Sequence, residues 1–160
     1  MPIVKSLVWH DEVATQLFAA ALSTHPAVHN AFIELHGDLG AGKTTFVRHL
    51  LRALGVQGRI KSPTFAVVEP YELMAQESPF NIWHFDFYRF SDPREWEDAG
   101  FRDIFASRGL KLAEWPEKAA GQIPRADLAM HIEAQTDESR TVTLTAQTPT
   151  GAALIQGVAA

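Results

Sequence analysis

At 160 residues, 46% of them hydrophobic, the chain is the size of one globular domain and can bury roughly 70% of its unfolded surface, which excludes a disordered protein. It has no cysteine, so disulfide frameworks and thiolate metal sites are excluded, and its formal charge of −5 argues against a surface dedicated to gripping nucleic acid. No apolar run is long enough to span a membrane and Met1 to Lys5 lacks a signal peptide's apolar core, so the cytoplasm is the expected location.

Ile3 to Trp9 reads as a first strand. Asp11 caps a predicted helix to about Ser23, with Val13, Leu17, Phe18 and Leu22 on its inner face, and His25-Pro26 ends it. Ala31 to His36 reads as a short buried strand. Thr45 to Leu54 has Phe46, Val47, Leu50, Leu51 and Leu54 at helical spacing, with Gly55 as its stop. A polar loop, Gly58 to Thr64, leads to a strand over Phe65 to Tyr71. Glu72 to Pro79 reads as a surface excursion, and Phe80 to Phe85 as a nearly continuous apolar strand ending on Asp86, a pattern suited to the interior of a parallel sheet. A short helix is expected from Asp92 to about Asp98, and a further turn or two over Phe101 to Ala106. Gly109 to Trp115 is the next strand. Leu128, Met130 and Ile132, then Val142, Leu144 and Ala146, alternate with more polar or smaller residues, which predicts an antiparallel hairpin turning at Thr136 to Ser139. Ala152 to Ala160 carries little pattern. These elements predict an α/β fold of the P-loop NTPase type over residues 1–160. It has three layers and a mostly parallel central sheet, with antiparallel edge strands that include the C-terminal hairpin.

Between the second strand and its helix stands Gly37-Asp38-Leu39-Gly40-Ala41-Gly42-Lys43-Thr44, which reads G-x-x-x-x-G-K-T. Strand, glycine loop and helix is the order that a phosphate cradle requires. Successive backbone N–H groups form an anion nest, and the helix start adds free donors and the positive end of its dipole. Asp38, Leu39, Gly40, Ala41, Gly42, Lys43, Thr44 and Thr45 are the expected nucleotide-binding residues. Lys43 would reach the β- and γ-phosphates, and the Thr44 hydroxyl would ligate Mg²⁺.

Hydrolysis also needs a metal carboxylate and a placed water. Asp86, at the end of an apolar strand, suits the metal. Glu114, at the end of another and beside Trp115-Pro116, suits either the metal or the water, so Asp86 and Glu114 are both candidate catalytic residues. His84 reads as a core histidine, and Glu69 and Asp38 as weaker carboxylate candidates. Ser62 and Thr64, around Pro63, form a loop able to sense the γ-phosphate. The guanine-reading N-K-x-D segment is missing, as is an arginine-rich lid. A small-molecule kinase and a non-hydrolysing nucleotide-dependent binding module remain alternatives to an ATPase.

Taken together, Gly37 to Phe46, Lys61-Ser62-Pro63-Thr64-Phe65, Val68-Glu69-Pro70-Tyr71, His84 to Arg89 and Glu114-Trp115-Pro116 resemble the bacterial TsaE (YjeE) family in order and spacing. The resemblance implies a P-loop ATPase, using ATP and Mg²⁺, in threonylcarbamoyladenosine modification of tRNA. It further implies action through a TsaB–TsaD pair that ATP hydrolysis resets, with tRNA reached only indirectly. By position it gives Lys43 and Thr44 the phosphates and Mg²⁺, Asp86 the Walker B role, Glu114 the metal and water network, and Ser62 and Thr64 the switch-like loop. Phe87 stands where many relatives have Leu, and Arg94 where an acidic residue is common.

Overall fold

A computed structural model describes residues 3–60, 63, 67–75, 78–90 and 100–158. Among them, one seven-stranded sheet is formed by β1 (Ile3–Trp9), β2 (Phe32–His36), β3 (Val68–Ala75), β4 (Ser78–Asp86), β5 (Leu110–Glu114), β6 (Leu128–Ala134) and β7 (Arg140–Ala146). The spatial order is β1-β7-β6-β2-β5-β4-β3. The inner strands β6, β2, β5 and β4 run parallel, while β3 on one side and β7 and β1 on the other pair antiparallel. All four parallel strands therefore end on the same edge, where the loops that follow β2, β4 and β5 converge.

The helices are α1 (Glu12–Ser23), α2 (Lys43–Leu54), α3 (Phe101–Ala106) and α4 (Pro149–Val158), the last two numbered among the described residues only. Alternation along the strands splits the core between the two sheet faces. Ile33, Leu35, Ile82, Leu112 and Met130 pack with Leu22 of α1, Phe46 and Leu50 of α2 and Leu154 of α4. Phe32, Phe85 and Ala113, each one position out of phase, pack with Phe101 of α3.

Several expectations are corrected. Glu72 to Pro79 is not an excursion: β3 runs on to Ala75 and turns back into β4 from Ser78, so Glu72 pairs with Asn81 and Leu73 with Phe80. β4 is accordingly parallel to β5 and antiparallel to β3. The buried side of α1 is Thr15, Ala19 and Leu22, while Val13 and Leu17 are exposed. That helix is apolar on nearly every side, so its sequence does not single out one stripe. The weakly patterned C-terminus is helical. Thr148 supplies its cap, with Oγ1 accepting from Gly151 N at 3.2 Å and donating to Asp127 Oδ1 at 2.7 Å, and Pro149 takes the first helical position. Between α1 and β2 a 3₁₀ turn, Pro26–Asn30, is capped by His25 Nδ1. Ser62 and Thr64, and the helix expected over Asp92 to Asp98, lie outside the described residues.

α4 is seated by a close approach. A Cβ at Gly151 would lie 1.8 Å from the Asp127 carbonyl oxygen and 3.3 Å from Ala146 Cα. Both contacts are backbone and cannot swing aside, so Gly151→Ala should cost about 1–3 kcal/mol. The shift in the urea unfolding midpoint measures this, and an unmoved midpoint would mean that α4 does not press on the sheet at this point.

Candidate functional site

The loop between β2 and α2 rises from the sheet edge at Gly37. Gly37, Gly40 and Gly42 all have positive φ, at 150°, 81° and 112°. Gly42 caps α2 with no side-chain bond, so the first amides of the helix keep their donors. An added Cβ at Gly42 would also fall 2.6 Å from Arg140 Nε, so that side chain would have to shift. Such an open helix start, after a turn of left-handed glycines, is a surface that attracts anions.

The first residues of α2 meet the ends of β4 and β5. Asp86 and Glu114 are register partners in the parallel pair, and Phe87 N donates to the Glu114 carbonyl at 3.0 Å, which fixes the two strand ends side by side. Glu114 is buried, and both of its oxygens are held. Thr44 Oγ1 donates to Oε1 at 2.9 Å, and His84 Nε2 meets Oε2 at 2.6 Å. The carboxylate accepts from both, which assigns the imidazole proton to Nε2. Asp86 Oδ1 accepts from Tyr88 N at 3.0 Å.

Lys43 folds back over the loop. Its ammonium donates to the Gly37 carbonyl and lies 3.6 Å from the centroid of the Trp115 ring, a cation–π contact. Trp115 has a left-handed backbone, φ 57° and ψ 47°, uncommon for a bulky residue, and its ring also meets that of Tyr88, with centroids 5.0 Å apart. This backbone turns the chain sharply just past Glu114 and lays the indole against Lys43.

Burial governs the charges here. It pushes the Asp86 carboxyl above the usual carboxylate range, against the Tyr88 amide bond, and repulsion from Glu114 adds to it. It also holds the Lys43 ammonium below the usual lysine range, against the attraction of Glu114, Glu117, Asp86 and Asp38. The site thus holds carboxylates and an ammonium short of solvent, and each would be relieved by a bound ion of opposite sign.

The sequence-derived residues sort clearly. Leu39, Gly40, Gly42, Lys43, Thr44 and Thr45 line a cleft of about 210 Å³, with Asp86 and Glu114 in its far wall. Asp38 and Ala41 instead border a larger cleft of about 560 Å³ that contains neither Asp86 nor Glu114. Glu69 faces His84 across the β3–β4 ladder and lines neither cleft. The larger cleft is walled by His36 and His131, whose rings stack with centroids 4.4 Å apart. Burial would lower His36, but Glu34 and Glu117, each 3.5 Å from one of its ring nitrogens, outweigh burial and hold it above its ordinary value.

Two residues outside the sequence-derived site meet it in the fold, His84 from behind Glu114 and Arg140 in the lining of the smaller cleft. His84 is buried as expected of a core histidine, yet it is bonded to Glu114, and its Nδ1 has no partner among the described residues. The period of two was the available signal, since it sets His84 on the same face as Asp86. Arg140 lines the smaller cleft itself, with no local motif to announce it.

A model of the TsaE family, described as threonylcarbamoyl adenosine biosynthesis protein TsaE, matches residues 9–142. The chain belongs to the TsaE family. It is 44% identical over 123 residues to tRNA threonylcarbamoyladenosine biosynthesis protein TsaE of Haemophilus influenzae, covering 77% of this chain and 75% of that one. It is 36% identical over 144 residues to the protein of the same name in Bacillus subtilis, covering 89% and 87%. The crystal structure of Bacillus subtilis YdiB is similar at a TM-score of 0.77 and 26% identity, over 99% of this chain and 96% of that one. A mixed sheet of this shape is therefore shared by a solved structure. For this TsaE-family chain, no group of His, Asp and Glu among the described residues is clustered to hold a metal unaided, and no described helix is long and apolar enough to cross a membrane.

Proposed function

We propose that this chain is a P-loop ATPase, folded as a single domain, that serves threonylcarbamoyladenosine modification of tRNA in the cytoplasm. The carrying observation is the hydrogen-bonded series Thr44–Glu114–His84 set against an open helix start beside Lys43. Family membership supports the pathway, and the −5 charge supports contact with tRNA through partners rather than by direct grip.

In this reading the amides of Gly40 to Thr45 bind the phosphates of ATP, and Lys43 leaves the Gly37 carbonyl to meet the β- and γ-phosphates. The hard oxygen donors Thr44, Asp86 and Glu114 suit Mg²⁺, which prefers such ligands and keeps several waters, so phosphate oxygens and water would complete the set that the protein alone lacks. Bound there, the ion would neutralise charge on the transferring phosphate. The Thr44 hydroxyl spends its proton on Glu114, which leaves its oxygen lone pairs for the cation. Glu114 and Asp86 flank the position of the attacking water and orient it. His84 positions Glu114 from behind. Ser62 and Thr64 would respond to the γ-phosphate, and a TsaB–TsaD pair would read that response.

The test is phosphate release by the purified protein with ATP and Mg²⁺, alone and with TsaB and TsaD. Turnover should be slow alone and rise several-fold with the pair. No stimulation would sink the partner-dependent reading. Transfer of the phosphoryl group to an acceptor hydroxyl would make the protein a kinase, and nucleotide binding without hydrolysis in the full complex would make it a binding module.

A further inference from the structure

Arg140 is drawn into the cleft by topology. It opens β7 and pairs with Ala134, the last residue of β6, and with Trp9, the last of β1. β6 runs parallel to β2, so its end stands at the edge from which the glycine loop rises. The guanidinium lies against that loop. A Cβ on Gly42 would fall 2.6 Å from Arg140 Nε and 3.1 Å from Cζ. Its Nε is buried with no hydrogen-bond partner among the described residues, and none of their carboxylates forms an ion pair with it. A buried guanidinium donor left unmade is costly, and Arg is the side chain best shaped to grip a phosphate with a planar fork.

The two flanks of the loop differ in charge. The carboxylates Asp86 and Glu114 approach from the β4–β5 side, and Arg140 approaches from the β6–β7 side. Cation binding and bond breaking belong to the first flank. We propose that Arg140 is a second cationic clamp, beside Lys43, on the part of the nucleotide that stays bound after hydrolysis, the diphosphate. The assignment rests on the nucleotide reading above. It makes Arg140 a binding residue, equally important for ATP and ADP, rather than a group that acts on the transferring phosphate.

The experiment compares the full-length protein with Arg140→Gln, Arg140→Lys and Lys43→Ala. Fluorescent ADP and a non-hydrolysable ATP analogue are titrated, steady-state hydrolysis is followed, and ligand-free melting is recorded. Arg140→Gln should weaken both nucleotides by a similar factor, about tenfold or more, and raise KM far more than it lowers kcat. Arg140→Lys restores the charge without the fork and should recover part of the loss. Raising the salt concentration should narrow the gap between parent and Arg140→Gln. Unchanged affinities in both Arg140 variants would overturn the proposal. So would a fall in kcat with affinities intact, which would mark a group acting on the γ-phosphate, or a drop in melting temperature with no change in affinity, which would mark a structural role. Should Arg140→Gln fail to fold, Arg140→Lys keeps the stem and charge, and its affinity for the two nucleotides decides. If Lys43→Ala binds both nucleotides normally, the P-loop reading itself falls, whereas normal Lys43 dependence without Arg140 dependence removes only the clamp.

Discussion

Glu114→Ala should release phosphate from ATP about 10²–10⁴ times more slowly than the parent while binding ATP within a few-fold of it, the range expected when a placed base or water-orienting group is lost. The phosphate contacts come from the loop amides and Lys43, which the substitution leaves in place. What disappears is a buried carboxylate held at both oxygens, by Thr44 at 2.9 Å and His84 at 2.6 Å. Alanine would also strand His84, whose Nδ1 is already without a partner, at a cost of about 1–3 kcal/mol in the ligand-free fold. Glu114→Gln separates the two effects, because it keeps an acceptor for Thr44 and nearly the same volume. It should stay folded and still lose turnover. The pH profile supplies a further check. Asp86 is held high by burial first and by the Glu114 charge in addition. Without that charge Asp86 ionises at lower pH, so the acid limb of Mg²⁺-dependent nucleotide binding should move to lower pH in Glu114→Gln. Normal steady-state turnover in both variants would remove Glu114 from the mechanism.

The parts legible in the chain are those where a local rule meets little competition. α2 alternates sharply between apolar and charged residues, and its Phe46, Val47, Leu50 and Leu51 are buried as the spacing requires. The strand ends at Asp86 and Glu114 could be read because an apolar run stops at a carboxylate in each case, and they are neighbours in the sheet. On α1 the spacing places Phe18 and Leu22 against the core correctly but not Val13 and Leu17, because alanines surround its larger side chains and tertiary contacts choose the stripe. α4 carries little pattern because Gly151 and Gly157 lower its helical propensity, whereas Thr148, Pro149 and the seat on Asp127 favour it in the fold. His84 and Arg140 needed the sheet itself. The first is placed by the pairing of β4 with β5, and the second by an antiparallel strand returning from far along the chain. Arg140 owes its position to strand order and carries no local signature, unlike Asp86 and Glu114, whose apolar runs end visibly on a carboxylate.

Lys43→Ala should weaken ADP and ATP binding by about 10²-fold or more, the scale set by losing charge-assisted hydrogen bonds of roughly 1.5–3 kcal/mol each. The direction follows from how the lysine is kept. Its ammonium is buried, and burial lowers its pKa in spite of four surrounding carboxylates. For a lysine that shift means the charged form is held at a disadvantage in the ligand-free protein relative to the unfolded chain. The Gly37 carbonyl and the Trp115 ring offset part of that disadvantage without supplying an opposite charge. A phosphate would supply it, so the cost carried in the free protein becomes affinity in the complex. Two measurements follow from the same residue. Isothermal titration should show the loss of affinity, and ligand-free melting of Lys43→Ala should change far less than nucleotide binding does, because the deletion removes a burial penalty together with its favourable contacts. An unchanged nucleotide Kd would contradict the phosphate role. A collapse in melting temperature with affinity retained would show that Lys43 braces the loop through Gly37 and Trp115 instead of serving a ligand.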